Sequence, residues 1–506
     1  NRLNIYVIQK ANVGFAKYIA SLPEGKERGV AIGYDNRHMS YKFAIESAKV
    51  LATYGIKSYI FESLRPTPEL SFAVRYLKCA GGIMITASHN PKEHNGYKVY
   101  DDTGCQLLPE AADQVVQYVN EVEDELNIKV FSDEEAYPYM TWIGEEVDEA
   151  YYKEVMAIEV NPGMDKSDFK IVFSPQHGTS NIAVRTCLTR LGYDLVPVLA
   201  QCAPDPDFSN TKSPNPEVPA SYELAIKKAK EVDADVVVIT DPDGDRLGVV
   251  AKHNGEYVLM SGNQSAAVYL EYILSQMKEK GTLPDNAVMY NTIVTSDLGE
   301  LVARSYGVDV EKTLTGFKFI GDKIRKYEQT HEKTFVFGYE ESYGCVIKDF
   351  VRDKDAVQAV LTAAEAGNFY KKQGKDLVDV LNELYAKHGT FKETQIALSK
   401  AGAAGAARIK EIMDNLRKDA PQEIGGVKVV KVEDYGNSTC SDGTTIQLPK
   451  SNVLKYYLED GSWIAARPSG TEPKCKFYFS IKGSDADDAA SKTEVFHKAM
   501  MEIIGE

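Results

Sequence analysis

The run Val236-Val237-Val238-Ile239, inside Asp235–Thr240, constrains the fold more than any other stretch. Four consecutive β-branched residues favour extended backbone, and the run offers no polar face to water, so it reads as a fully buried strand. Shorter apolar runs at Gly29–Ile32, Gly82–Thr86, Lys170–Phe173 and Thr334–Phe337 repeat the theme. Amphipathic helical stretches alternate with them. In Lys42–Tyr54, Ala44, Ala48, Leu51 and Ala52 share one stripe, and Gly55 is a natural C-terminal stop. Strands alternating with helices predict βαβ units and mainly parallel sheets. Asn254-Gly255 predicts a hairpin between Gly248–Lys252 and Tyr257–Met260 that closes the second unit. The last hundred or so residues differ. Val427–Val432, Thr444–Leu448 and Lys476–Ile481 read as strands and Asp485–Ile504 as a closing helix, with an Ala- and Gly-rich stretch, 401–407, near the start. With 506 residues and a prior of roughly 150 per domain, about three or four domains fit.

After each buried run the next residues are polar and rich in Gly, Ser, Asp or His: Thr86–Pro91, Ser174–Ser180, Asp241–Arg246 and Gly338–Gly344. Loops at the carboxyl ends of parallel strands are where α/β sheets bind ligands, so several such units predict domains around a shared cleft. Thr86-Ala87-Ser88-His89-Asn90-Pro91 offers Ser88 as a phosphoryl-holding hydroxyl, with Arg37 and Lys98 as counter-charge. Ordinary turn chemistry explains the same residues equally well. In Asp241-Pro242-Asp243-Gly244-Asp245-Arg246 three carboxylates at alternate positions can converge on one hard cation, Mg²⁺ or Ca²⁺. Such close carboxylates repel one another without a cation. It is not an EF-hand, because Gly stands fourth and Lys252 twelfth. Gly338-Tyr339-Glu340-Glu341-Ser342-Tyr343-Gly344 pairs acids with aromatic faces, which suits a polyol as well as it suits a solvated turn. Arg467-Pro468-Ser469-Gly470-Thr471-Glu472-Pro473-Lys474 combines a guanidinium, hydroxyls and glycine-exposed N–H groups into a phosphate cradle, the alternative being a plain turn. Thr315-Gly316-Phe317-Lys318 sets Lys318 on a turn before a helix, as a general acid/base or a solvated lysine.

Composition excludes some functions. The net charge of −16 disfavours a nucleic-acid or anionic-membrane partner. No apolar run approaches the roughly 20 residues of a membrane span. Seven Cys without C-x-x-C give no disulfide framework or zinc ribbon, which points to a reducing, cytoplasmic setting. The chain opens on Asn1 without a Met, and an upstream piece is expected.

Taken in order, T-A-S-H-N-P, D-P-D-G-D-R, G-Y-E-E-S-Y-G and R-P-S-G-T-E-P resemble the phosphoserine, metal, sugar and phosphate loops of the α-D-phosphohexomutases. The resemblance covers essentially the whole chain. With the T-G-F-K turn and Val351-Arg352-Asp353-Lys354-Asp355, it is strongest to the glucose-specific bacterial branch of the Gram-positive type. It implies an α/β fold of four domains around a central cleft, three α/β with mixed, mainly parallel sheets and a C-terminal α+β domain. The expected borders are 1–146 with the phosphoserine loop, 147–262 with the metal loop, 263–392 with the sugar loop and 393–506 with the phosphate loop.

The activity implied is interconversion of glucose 1-phosphate and glucose 6-phosphate through phosphorylated Ser88 and glucose 1,6-bisphosphate, which serves as intermediate and activator. Mg²⁺ is implied on Asp241, Asp243, Asp245 and a Ser88 phosphate oxygen. Lys98, Lys318 and Arg246 are the other catalytic candidates, and Arg37 and His89 surround the phosphoserine. Glu340, Glu341 and Ser342 are implied on the sugar, and Arg467, Ser469, Gly470 and Thr471 on the non-reacting phosphate. The partners expected are small sugar phosphates, for a monomer or weak dimer. Two departures stand out. The family's Gly-rich, Arg-bearing segment near the phosphoserine is absent, the given chain beginning after it. Phe317 stands where some members carry a His acid/base, which shifts proton transfer to Lys318 and Lys98. Other readings are a mannose or pentose mutase of the same family, a haloacid-dehalogenase-like phosphatase with Asp241 as nucleophile, and a non-catalytic sugar-phosphate sensor.

Overall fold

A computed structural model describes residues 3–470 and 473–506. Among the described residues, twenty-one strands form four sheets. In the first, β1 (Val30–Tyr34), β2 (Ser58–Phe61), β3 (Gly81–Ile85), β4 (Tyr97–Tyr100) and β5 (Met140–Ile143) take the order β4-β3-β1-β2-β5. In the second, β6 (Lys170–Ser174), β7 (Asp194–Pro197), β8 (Val236–Thr240), β9 (Leu247–His253) and β10 (Glu256–Met260) run β10-β9-β8-β6-β7. The third orders β11 (Ala287–Thr292), β12 (Asp309–Thr313), β13 (Thr334–Tyr339) and β14 (Cys345–Val346) as β12-β11-β13-β14.

All three sheets repeat one arrangement. A parallel core strand, β3, β8 or β13, is followed by an antiparallel neighbour, β4, β9 or β14. In the first and third sheets that neighbour is the outermost strand; in the second, β9 lies between β8 and β10. The repeat that polar strand ends suggested is therefore real. The Ser88, Asp241–Arg246 and Gly338–Gly344 loops are strand-to-strand connections, whereas Ser174–Ser180 leads into the helix Asn181–Arg190. The second sheet is accordingly half antiparallel.

The fourth sheet is antiparallel throughout. It contains β15 (Thr390–Ser399), β16 (Glu423–Ile424), β17 (Val427–Asp434), β18 (Thr439–Cys440), β19 (Leu454–Leu458), β20 (Trp463–Pro468) and β21 (Lys474–Gly483). The helices Gly402–Lys418 and Ala486–Ile504 contribute Ile412, Met413, Phe496 and Met500 to its core. Asp485 caps the closing helix by accepting from the Asp488 N–H. Thr444–Leu448 is not a strand, apart from an isolated bridge at Thr445. Asp442 Oδ1 accepts from the Thr444 N–H and hydroxyl, and Gly443 has φ +85°, so the segment begins as a turn.

Other expectations hold with small shifts. The strand expected at Gly29–Ile32 is Val30–Tyr34, and the helix expected at Lys42–Tyr54 is Ser40–Thr53. Asn254-Gly255 has φ of 50° and 84° and joins β9 to β10 as an antiparallel hairpin. The seven cysteines are free. No helix among the described residues is long and apolar enough to cross a membrane.

The chain forms two compact units. One holds the chain through Asn291 with Tyr306–Glu311 and Gly316–Val380; the other holds Thr292–Ser305, Lys312–Thr315 and Leu381–Glu506. Inside the second, Lys455 is fully buried. Its ammonium nitrogen donates to the Ile293 carbonyl at 2.8 Å and lies 3.9 Å from the Trp463 ring centroid. Burial, reinforced by Lys312, pulls this lysine from 10.5 down to about 7. Between those values the unfolded chain binds a proton that the folded chain does not, so stability rises with pH across the window. The slope is at most about 1.4 kcal/mol per pH unit. The melting temperature of the wild type minus that of Lys455→Met is expected to increase from pH 7.5 to 9.5. A constant difference would mean that Lys455 stays charged.

Candidate active site

The loop between β3 and β4 carries Ser88. Its N–H donates to Thr86 Oγ1 at 2.8 Å and its φ is 52°, in the left-handed region. Such strain costs on the order of 1–3 kcal/mol in a non-glycine residue. Arg37 holds it in place. Nη2 donates to the carbonyls of Ser88 (2.6 Å) and Asn90 (2.5 Å), and Nη1 to those of Pro91 (2.8 Å) and His94 (3.1 Å). One hydrogen bond to a charged donor is worth about 1.5–3 kcal/mol, so four outweigh the strain. Arg37 Nε lies 3.1 Å from Asp35, and both side chains are fully buried. The guanidinium thus shapes the loop backbone and is not directed at the Ser88 hydroxyl, as a counter-charge would be. His89 Nδ1 lies 3.2 Å from Ser88 Oγ.

Ser88 Oγ donates to Asp241 Oδ2 at 3.0 Å. Asp241 opens the loop between β8 and β9, and its Oδ1 accepts from the N–H groups of Asp245 (3.1 Å) and Arg246 (3.0 Å). Asp241, Asp243 and Asp245 are buried, with one carboxylate oxygen of each within 4.8 Å of the others. Burial, then the neighbouring Asp243 and Asp245, push the Asp241 carboxyl well above its ordinary range. Burial works against Asp243 too, but Lys98 prevails and holds it below that range. Asp243 Oδ1 and Asp245 Oδ1 are buried without a hydrogen-bond donor among the described residues. Oxygen-only donors with two buried orphans fit a hard divalent cation.

Two ammonium groups face these acids. The β3–β4 pairing of Met84 with Lys98 sets Lys98 Nζ 2.9 Å from Asp243 and 3.6 Å from Asp245. Lys354 Nζ lies 3.2 Å from Asp245, 3.9 Å from Glu340 and 5.5 Å from the Phe317 ring centroid. Burial lowers both lysines, but Asp243 and Asp245 raise Lys98, and Asp245, Asp353 and Glu340 raise Lys354, so both are held above the ordinary range. Lys354 was not among the residues singled out for the site. It lies 109 positions after Asp245 in the sequence, and its only signal was the Arg352–Asp355 charge pattern. Lys318 does not join this pair among the described contacts; its Nζ lies over Phe319 at 5.5 Å. Arg246 Nη1 donates to Glu217 at 2.6 Å.

The sugar-loop candidates connect β13 to β14. Ser342 Oγ donates to Glu340 Oε1 at 2.7 Å, and Glu340 is buried while Glu341 is half-buried. The Leu247 N–H donates to the Tyr343 carbonyl at 2.9 Å, tying this loop to the end of the metal loop. In the second unit Arg467 is the last residue but one of β20, with Nη1 3.5 Å from the Tyr478 hydroxyl. The Ser469 N–H donates to the Lys474 carbonyl at 2.7 Å, which closes the turn carrying Gly470. Thr471 lies outside the described residues.

Four segments match one family in order: "Phosphoglucomutase/phosphomannomutase, alpha/beta/alpha" domain I at residues 1–126, domain II at 149–255, domain III at 261–388, and its C-terminal domain at 406–498. The phosphoglucomutase of Staphylococcus epidermidis is 39% identical over 499 residues, covering 97% of this chain and 89% of that protein. The phosphoglucomutase of Staphylococcus haemolyticus is 38% identical over 488 residues, covering 95% and 87%. A crystal structure of a phosphoglucomutase/phosphomannomutase family protein from Burkholderia thailandensis shares the fold, with a TM-score of 0.72 at 19% identity over 99% of this chain and 94% of that one. With four matching domains in sequence and near-complete coverage by its relatives, the chain belongs to the phosphoglucomutase/phosphomannomutase family of phosphohexomutases.

Proposed function

We propose that this enzyme interconverts glucose 1-phosphate and glucose 6-phosphate, with Ser88 as phosphoryl carrier. One observation carries the reading: the Ser88 hydroxyl donates directly into the buried carboxylate triad, at Asp241. The name shared by the Staphylococcus relatives supports glucose as the sugar. Asp241, Asp243, Asp245 and an oxygen of phosphorylated Ser88 would hold Mg²⁺, which supplies charge neutralisation to the transferring phosphoryl group when bound. A sugar hydroxyl attacks phosphorus, the bond from phosphorus to Ser88 Oγ breaks, and a lysine ammonium gives its proton to Ser88 Oγ while taking up the proton of the attacking hydroxyl. The resulting glucose 1,6-bisphosphate turns around and returns its other phosphoryl group to Ser88 Oγ. Little covalent chemistry falls to the protein, so positioning and charge carry the catalysis.

Lys98 is the proposed proton carrier, with Lys354 offsetting phosphoryl charge beside it and Lys318 the alternative carrier. Arg246 acts from its Glu217 pair, and His89 orients the Ser88 hydroxyl. Glu340, Glu341 and Ser342 take the sugar hydroxyls; Arg467, Ser469, Gly470 and Thr471 take the resting phosphate. The proposed domain borders remain near residues 146, 262 and 392, and a monomer or weak dimer in the cytoplasm is proposed. The test is turnover on glucose 1-phosphate, mannose 1-phosphate and ribose 1-phosphate, each primed with its bisphosphate. Glucose 1-phosphate should lead in kcat/KM by about 10-fold or more, as expected of a site that bonds a distinguishing hydroxyl. Faster turnover of mannose or ribose 1-phosphate would overturn the glucose assignment.

A further inference from the structure

Three consecutive carbonyls of the metal loop are each held by a backbone N–H from a different segment. Thr179 N–H donates to Pro242 at 2.8 Å, Thr67 N–H to Asp243 at 2.8 Å and Ala356 N–H to Gly244 at 3.1 Å. Thr67 and Ala356 are the first residues of the helices Thr67–Tyr76 and Ala356–Lys371, and Thr179 stands two residues before Asn181–Arg190. The first N–H groups of a helix have no partner within it. Here two of them find one in the metal loop, so two helix N-termini and the segment leading into a third helix fix the backbone that aims the carboxylates.

Thr67 does more than the other two. Its hydroxyl also donates to Asp243 Oδ2 at 3.2 Å, and it is fully buried. That oxygen receives Lys98 as well, at 2.9 Å, whereas Asp243 Oδ1 has no donor among the described residues. We propose that Thr67 is a positioning residue: its hydroxyl pins one oxygen of Asp243 and so leaves the other turned toward the cation. The inference rests on the metal-loop reading above. It concerns a residue that touches neither substrate nor cation and acts through Asp243. Partners that orient a ligand from behind typically change metal affinity by about 10- to 100-fold when removed.

The test is calorimetric titration of the full-length protein with MgCl₂ alone, beside melting curves. Thr67→Val keeps the shape and the backbone N–H and removes only the hydroxyl. It should weaken Mg²⁺ binding by about 10-fold or more. Thr67→Ser, which restores a hydroxyl, should bind within about 3-fold of wild type, and Thr67→Ala should resemble Thr67→Val. A merely structural role would lower the melting temperatures and leave the affinity alone. Equal affinity in wild type and Thr67→Val overturns the inference while sparing the metal loop. Should Thr67→Val fail to fold, the Ser and Ala pair decides by the same criterion. If wild type itself takes up no Mg²⁺, and Asp243→Asn makes no difference, the metal-loop reading falls first.

Discussion

Ser88→Ala is expected to fold like the wild type and to lose mutase turnover by roughly 10⁴-fold or more, the scale seen when a nucleophile is removed. The half-buried hydroxyl donates to Asp241 at 3.0 Å and lies 3.2 Å from His89 Nδ1. Its loss therefore removes about one ordinary hydrogen bond, ~1 kcal/mol, from the fold. The loop keeps its shape because Arg37 holds the backbone carbonyls, and an alanine at φ 52° adds only modest strain. Activity, by contrast, has no other hydroxyl donating to Asp241 among the described contacts. Intact-mass measurement should find one phosphoryl group on the active wild type and none on the variant. An alanine variant that turns over normally would remove Ser88 from the mechanism.

The second large effect is loss of the cation. Excess chelator should abolish turnover, and Mg²⁺ should restore it. Asp243→Asn keeps the shape of the side chain and removes one charge. A unit pair at about 4 Å is worth roughly 4 kcal/mol at an effective dielectric constant of about 20, so an affinity loss of roughly 10²–10³-fold is expected. The variant also turns the charged partner that Lys98 has at 2.9 Å into a neutral amide. Undiminished activity in chelator would contradict this assignment.

Much of this was legible in the sequence because it is local. Four β-branched residues in a row make a buried strand in almost any context, and three aspartates at alternate positions must answer for their repulsion. What escaped depends on which distant groups meet. Lys354 reaches Asp245 only through the packing of the third sheet's loop against the second's. A sequence cannot say whether a buried arginine will choose a phosphate or a carbonyl, and Arg37 took four carbonyls. Tyr97–Tyr100 is four residues long and only partly buried, too short for its period to stand out. Thr444–Leu448 shows the opposite failure, an apparently strand-like pattern overruled by one aspartate and one positive-φ glycine.

The sheet order sets how freely each loop can change length over evolutionary time. After the Ser88 and Glu340 loops the chain enters an outermost strand, and β14 is only two residues long. An inserted residue there slides an edge and leaves the parallel pairs untouched, although in β4 it would also shift Lys98 from its register with Met84. After the Asp241–Arg246 loop the chain enters β9, which is paired on both sides and buried from Leu247 to Ala251. A slip of one residue there would turn every side chain of that strand to the opposite face. The Ser88 and Glu340 loops are thus more open to insertion, while the Asp241–Arg246 loop is locked at its present length.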